Sequence, residues 1–105
     1  MTFNVHVTEF AKANVGEIVT WLQERSPAGA NAWFHAWAAT LVKLAERAES
    51  CGHAPESAAH SEPIRQIFFK TRRGRMYRAL FTIREHDVYI LHVRGPGQDL
   101  LRLDP

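Results

Sequence analysis

The sequence has few of the features that mark secreted, membrane-spanning or disordered chains. It contains one cysteine, Cys51, which cannot form a disulfide within the chain, so we expect a reducing compartment such as the cytoplasm. No run of about 18 apolar residues predicts a membrane span, and MTFNVHVTEF lacks the basic and apolar parts of a secretory signal. Its 105 residues are 46% hydrophobic and 23% charged, a composition typical of a globular protein, and predict one domain over residues 1–105.

Acidic residues are missing from one long stretch. Residues 1–62 carry four Lys or Arg and seven acids, a net charge of −3, whereas residues 63–105 carry nine Lys or Arg and four acids, a net charge of +5. Between Glu62 and Glu85 there is no acid, but seven basic residues fall there: Arg65, Lys70, Arg72, Arg73, Arg75, Arg78 and Arg84. Such a field of one sign attracts nucleic acid or an acidic protein segment.

The first half of the chain predicts one strand followed by two helices. Apolar and polar residues alternate over residues 3–8, which indicates a strand with one buried face. Thr8 then suits the N-cap of a helix that ends near Arg25, and Ser26-Pro27 suits the start of a second helix. We expect this second helix to use an apolar stripe to pack on a sheet: Ala30, Trp33, Phe34, Trp37, Leu41, Leu44 and Ala45.

The second half predicts three strands joined by turns. Residues 50–63 are small, polar and interrupted by proline, and indicate a loop. Strands are predicted over residues 64–69, 76–84 and 88–94, with Gly74 at the tip of a basic turn and a tight turn at residues 85–87. The predicted fold class is α+β in the order β-α-α-β-β-β, with a helical hairpin on one face of a small, mainly antiparallel sheet.

Strand alternation gathers the candidate site residues on one face of this sheet. In the second long strand Tyr77, Ala79, Phe81 and Ile83 share a face, and in the last strand Tyr89, Leu91 and Val93 do. We expect these faces to meet the helices, so that the opposite face directs four side chains to solvent: Arg78, Arg84, His92 and Arg94.

Guanidinium groups and an imidazole suit phosphate recognition and phosphodiester chemistry. Arginine binds phosphate oxygens through paired hydrogen bonds, and histidine can transfer a proton near neutral pH. The candidate catalytic residues are Arg78, His92 and Arg94, and the candidates for phosphate or partner binding are Lys70, Arg72, Arg73, Arg75 and Arg84. The alternative is an ordinary solvated basic face. Cys51, His53 and His60 match no zinc pattern, so no metal or cofactor is expected.

The stretch IRQIFFKTRRGRMYRALFTIREHDVYILHVR, in this element order, resembles the RelE/ParE superfamily of bacterial type II toxins. The resemblance covers most of the chain. It implies a toxin neutralised by a cognate antitoxin, acting either by poisoning DNA gyrase, as in the ParE-like branch, or by metal-independent mRNA cleavage on the ribosome, as in the RelE-like branch. An enzyme is implied only in the second case.

The resemblance also implies roles for individual residues, and the chain departs from the family pattern at some positions. Arg78 matches the RelE-like arginine that binds the phosphate at the cleaved bond, and Arg94 lies near a second basic position. RelE-like enzymes often present two lysines on the preceding strand, where this chain has Gln66 and Phe68. A histidine or tyrosine is also missing after Arg94, which leaves His92 as the candidate acid or base. A binding module without toxicity, docking an acidic chain or nucleic acid, is the alternative.

Overall fold

The described chain is one strand, a helical hairpin and a three-stranded meander. A computed structural model describes residues 2–96. The strands are β1 (Asn4–Val7), β2 (Arg65–Phe69), β3 (Tyr77–Arg84) and β4 (Asp87–Arg94), the helices are α1 (Glu9–Arg25) and α2 (Pro27–Arg47), and two short 3-10 helices span Ala48–Ser50 and Pro55–Ala59. The predicted α+β fold class and its element order are confirmed. None of the helices within residues 2–96 has the length and apolar character needed to cross a membrane.

Both helices begin at the predicted capping residues. The Thr8 hydroxyl accepts a hydrogen bond from the Ala11 backbone N–H at 3.3 Å, and the Ser26 hydroxyl accepts one from the Gly29 N–H at 3.0 Å. Each hydroxyl satisfies a backbone donor that the first helical turn leaves without a partner. Pro27, the first residue of α2, has no N–H that would need a partner. A single residue, Ser26, therefore ends α1 and starts α2, which produces the tight hairpin.

The four strands form one sheet in the order β1-β4-β3-β2. β1 pairs parallel to β4, while β3 pairs antiparallel with both β4 and β2. The parallel pair follows from the helical hairpin, because the chain crosses over through α1 and α2 before it returns to the sheet. β1 is only four residues long, so it covers β4 up to Ile90 and not beyond.

The core lies between the helices and one face of the sheet. Trp33 and Trp37 of α2 are 2% and 5% exposed and lie within 6 Å of the Phe69 ring on β2. Phe81 and Ile90 from the central strands are fully buried in the same cluster. The packing of the hairpin on a single face was predicted and is confirmed.

One member of the predicted stripe on α2 was placed wrongly. Phe34 is 52% exposed, although its neighbour Trp33 is buried. Successive residues of a helix lie about 100° apart around the axis, so Trp33 and Trp37 share a face and Phe34 does not. The sequence shows three aromatic residues close together, and helical geometry allows only two of them to face the sheet.

Candidate functional site

The three candidate catalytic residues lie together on the open face of the sheet, which is the face opposite the helices. In the register of β3 and β4, Arg78 is opposite Arg94 and Leu80 is opposite His92. These side chains alternate with Ala79, which is buried in the helix-facing core. The predicted convergence of Arg78, His92 and Arg94 in space is therefore present, whereas their catalytic roles remain predictions.

The side chains of β4 do not alternate strictly between the two faces of the sheet, because the strand contains a bulge. Phe81 is opposite Ile90 while Leu80 is opposite His92, so Leu91 is an extra residue on β4. Val88, Ile90 and Val93 face the helices. The prediction that Tyr89, Leu91 and Val93 share the helix-facing side was wrong for Tyr89 and Leu91, and Ile90 does not share a face with His92. The bulge changes the phase of the strand and leaves both Leu91 and His92 on the open face.

The segment predicted as a loop covers part of this open face. Ala54, Ile64 and Leu80 form a small second core of buried residues, against which Leu91 packs. Hydrogen bonds anchor the segment: the Ile64 N–H donates to the Ser57 hydroxyl at 2.9 Å, and the Thr82 hydroxyl donates to the Pro63 carbonyl at 3.2 Å. We call residues 55–62, which begin with the second 3-10 helix, the acidic strap.

Glu56 of the acidic strap holds Arg78. The Nη1 and Nη2 groups of Arg78 donate to the two Glu56 carboxylate oxygens at 2.8 and 2.5 Å, and Nη1 also donates to Gln66 Oε1 at 3.2 Å. The Glu56 side chain is 1% exposed and that of Arg78 is 15% exposed. A buried carboxylate needs such a paired, charge-assisted partner because burial removes it from water. The sequence predicted that the Arg78 guanidinium faces solvent, and in the structure it binds the Glu56 carboxylate instead.

Glu62 repeats this pairing at the other end of the acidic strap. Arg84 donates through Nε and Nη2 to the Glu62 carboxylate at 2.9 and 2.7 Å. The hydrogen bonds from Arg84 lower the pKa of Glu62, and the same bonds raise the pKa of Arg84. Glu56 and Glu62 are six residues apart, as are Arg78 and Arg84, so the strap follows β3 and places a carboxylate at each arginine. Six residues of strand span about 20 Å, so Arg84 lies far from the cluster at Arg78.

His92 occupies a partly buried position beside this cluster. Burial lowers the pKa of the imidazole, the positive charge of Arg94 lowers it further, and the charge of Glu56 acts in the opposite direction. The edge of the ring packs with Phe10 at the start of α1, with 4.7 Å between ring centroids. A histidine with a lowered pKa is neutral at pH 7 and can accept a proton. The cluster thus combines a carboxylate, guanidinium groups and a neutral imidazole.

The basic turn between β2 and β3 has different surroundings. Lys70, Arg72, Arg73 and Arg75 are all exposed. Within residues 2–96, no ion pair or hydrogen bond to any of these four side chains is present, whereas Arg78 and Arg84 each bind an acid of the strap. The structure divides the predicted basic residues into a paired set on the sheet and an unpaired set on the turn.

Comparisons with known proteins identify the fold. No protein-family model matches the sequence, and no curated protein matches it significantly. A solved structure described as the chromosomal ParDE TA system from P. aeruginosa contains a similar chain, with a TM-score of 0.66 and 17% sequence identity. The match covers 90% of this chain and 96% of that chain. The chain therefore shares the fold of that chain. The resemblance read from the sequence is confirmed at the level of the fold.

Glu56 is the residue of the candidate site that sequence reasoning missed. It is the one acid between Glu49 and Glu62, in a segment otherwise made of small and polar residues. A single acid in such a segment, followed by a strand with two arginines, indicates that an ion pair can form. The sequence does not show which arginine Glu56 binds. The described residues 2–96 contain no group of three or more His, Cys, Asp or Glu side chains that could hold a metal ion.

Proposed function

We propose that this chain is the toxin component of a type II toxin–antitoxin pair and that it acts as a gyrase poison of the ParE-like kind. The observation that carries the proposal is the fold, which is similar over 90% of the chain to a chain from a ParDE TA system. The partner implied is a cognate antitoxin protein. A net charge of +5 over residues 63–105 suits an acidic antitoxin segment.

The surroundings of Arg78 favour gyrase over mRNA as the target. RNA cleavage of the RelE-like kind needs basic groups available to the phosphate at the cleaved bond. In this chain Arg78 already binds Glu56 and Gln66, and Gln66 and Phe68 stand where RelE-like enzymes often present lysines. A phosphate would have to compete with a buried carboxylate for the same guanidinium.

Metal-independent RNA cleavage is the second candidate, because Glu56, Arg78 and His92 lie on one face. Cleavage of this kind needs a base that takes the proton of the 2′-hydroxyl, an acid that protonates the leaving 5′-oxygen, and a cation for the charge on phosphorus. Glu56 and His92 could serve as base and acid, and Arg78 or Arg94 as the cation. The lowered pKa of His92 reduces the fraction of its imidazole that carries a proton to donate at pH 7.

Expression in a bacterial host tests the proposal. We expect growth arrest, accumulation of cleaved gyrase–DNA complexes and intact mRNA. We also expect a neighbouring gene to encode a small antitoxin whose co-expression restores growth. Growth arrest with cut mRNA, lost in the folded variant His92→Gln, would support RNA cleavage instead. Normal growth with verified folded protein would contradict the toxin role and leave the non-toxic binding module.

A further inference from the structure

The β2–β3 hairpin carries an exposed patch that is separate from the cluster of Arg78, His92 and Arg94. We define the hairpin patch as Phe68, Lys70, Arg72, Arg73, Arg75 and Met76. Phe68 and Met76 are 54% and 48% exposed, and all four cations are exposed. Phe68 lies opposite Arg78 in the strand register, on the open face of β2, the edge strand of the sheet. The patch therefore combines apolar side chains with charges of one sign at one end of the sheet.

The turn holds its cations close together. The Gly74 N–H donates to the Thr71 carbonyl at 3.2 Å, which closes a tight turn around Arg72 and Arg73. A Cβ atom at Gly74 would lie 2.2 Å from the Thr71 hydroxyl oxygen, so a larger residue would force that side chain to move. Three guanidinium groups thus come from four consecutive positions of one turn. Their mutual repulsion favours a partner that carries several negative charges.

The two acids of the acidic strap bind arginines of β3 and not those of the turn. Glu56 and Glu62 bind Arg78 and Arg84, and between Glu62 and Glu85 the sequence has no other acid. An exposed phenyl ring beside unpaired cations is the arrangement that binds single-stranded nucleic acid, in which cations follow the phosphates and aromatic rings stack on bases. A paired duplex or an acidic polypeptide offers no free base to the ring.

We propose that the hairpin patch binds single-stranded nucleic acid, with the turn arginines on phosphates and Phe68 stacked on a base. The inference does not depend on the proposed gyrase target or on the cluster at Arg78. It assigns a binding role to Phe68 in addition to the cations, and it predicts that loss of the Phe68 ring and loss of the arginine charges change binding in different ways.

Fluorescence anisotropy with the full chain tests this inference. The probes are end-labelled single strands of dT and of rU, a DNA duplex of equal length, and polyglutamate as a competitor. We expect the single strands to bind more tightly than the duplex, with the dT and rU arms showing which sugar is preferred. Replacing Arg72, Arg73 and Arg75 together by Ala should reduce the slope of log affinity against log salt by about 2, at about 0.7 for each lost phosphate contact.

Matched variants separate the patch from general effects. Phe68→Ala should weaken single-strand binding by about tenfold with the salt slope unchanged, as expected for loss of one stacked base. Phe34→Ala, which removes a phenyl ring of similar exposure from α2, should leave binding unchanged, as should Lys43→Ala with Arg47→Ala.

Three results would each overturn the inference: equal loss in Phe68→Ala and Phe34→Ala, duplex binding as tight as single-strand binding, or displacement by polyglutamate as effective as by unlabelled strand. Circular dichroism of each variant shows that it is folded. The growth assay is a separate readout, so a non-toxic protein that still binds single strands would contradict the proposed function and leave this inference intact.

Discussion

The arginines of the acid-free stretch occupy two regions with opposite surroundings. On β3, Arg78 and Arg84 each donate two hydrogen bonds to a carboxylate of the acidic strap, and Arg78 is largely buried. On the β2–β3 turn, Arg72 and Arg73 are exposed and have no such bonds within the described residues 2–96. The residue type is the same in both regions, and the strap accounts for the difference because it lies against β3.

This difference shows that a count of charges along the sequence does not locate a binding surface. Each strap acid precedes the arginine that it binds by 22 residues, Glu56 for Arg78 and Glu62 for Arg84, yet the two side chains of each pair meet in space. Among the described residues 2–96, no carboxylate binds the arginines of the turn. A role in structure is therefore expected for the arginines of β3, and a role in binding for those of the turn.

The largest expected effect is on the strap side of this comparison. Glu56→Ala should lower the free energy of unfolding by about 3–5 kcal/mol, because it leaves the Arg78 guanidinium buried without its partner charge. Urea unfolding followed by tryptophan fluorescence measures it. Trp37→Ala, a buried large aromatic, should cost a similar amount, about 3–5 kcal/mol, and sets the scale. A loss below about 1 kcal/mol for Glu56→Ala would show that the ion pair contributes little.

A smaller effect is expected from His92 beside the same cluster. Its pKa in the folded state is lowered, so the unfolded chain binds a proton more readily than the folded chain. The free energy of unfolding should therefore rise with pH between the lowered pKa of His92 in the folded state and its pKa near 6.5 in the unfolded chain. The same stability is lost as the pH falls through that range. Unfolding measured at several pH values checks this, and His92→Gln should remove the slope. If the pH dependence of stability is unchanged in His92→Gln, titratable groups other than His92 cause it.

The smallest effect is expected on the turn. Arg73→Ala should change the free energy of unfolding by less than about 0.5 kcal/mol, because no contact in the described residues depends on it. At low ionic strength the sign should be stabilising, since the substitution relieves repulsion among neighbouring cations, and added salt should abolish the gain. Unfolding at two salt concentrations measures this. A loss above about 1 kcal/mol would mean that the turn arginine has a structural partner, and the two regions would then not differ.

Much of the fold was predictable because its signals are local. Thr8 and Ser26 cap the helices through hydroxyl groups that lie three residues from their donors, and the alternation in β3 shows which of its side chains face the helices. The face of His92 was predicted correctly, but the faces of Tyr89 and Leu91 were not. A bulge depends on pairing with the neighbouring strand, so one strand read alone does not show it.

The position of the candidate site was predictable, but the burial and ion pairing of Arg78 were not. Strand alternation placed Arg78 and His92 on one face, as the register confirms. The burial of Arg78 under Glu56 depends on how a segment of small residues crosses the sheet, and that path is held by contacts such as Ile64 on Leu80. Contacts between residues distant in sequence leave no periodic pattern to read.

By itself the sequence determined the element order, the helix ends, the apolar faces of most strands and the excess of positive charge in the second half. These properties depend on the spacing of residue types along the chain, which hydrogen bonding and burial translate directly into helices and strands. Only the tertiary structure decided which arginines of residues 2–96 bind a carboxylate of that part of the chain and which do not. The electrostatic interaction of two charges depends on their separation and burial in space and not on their separation along the chain.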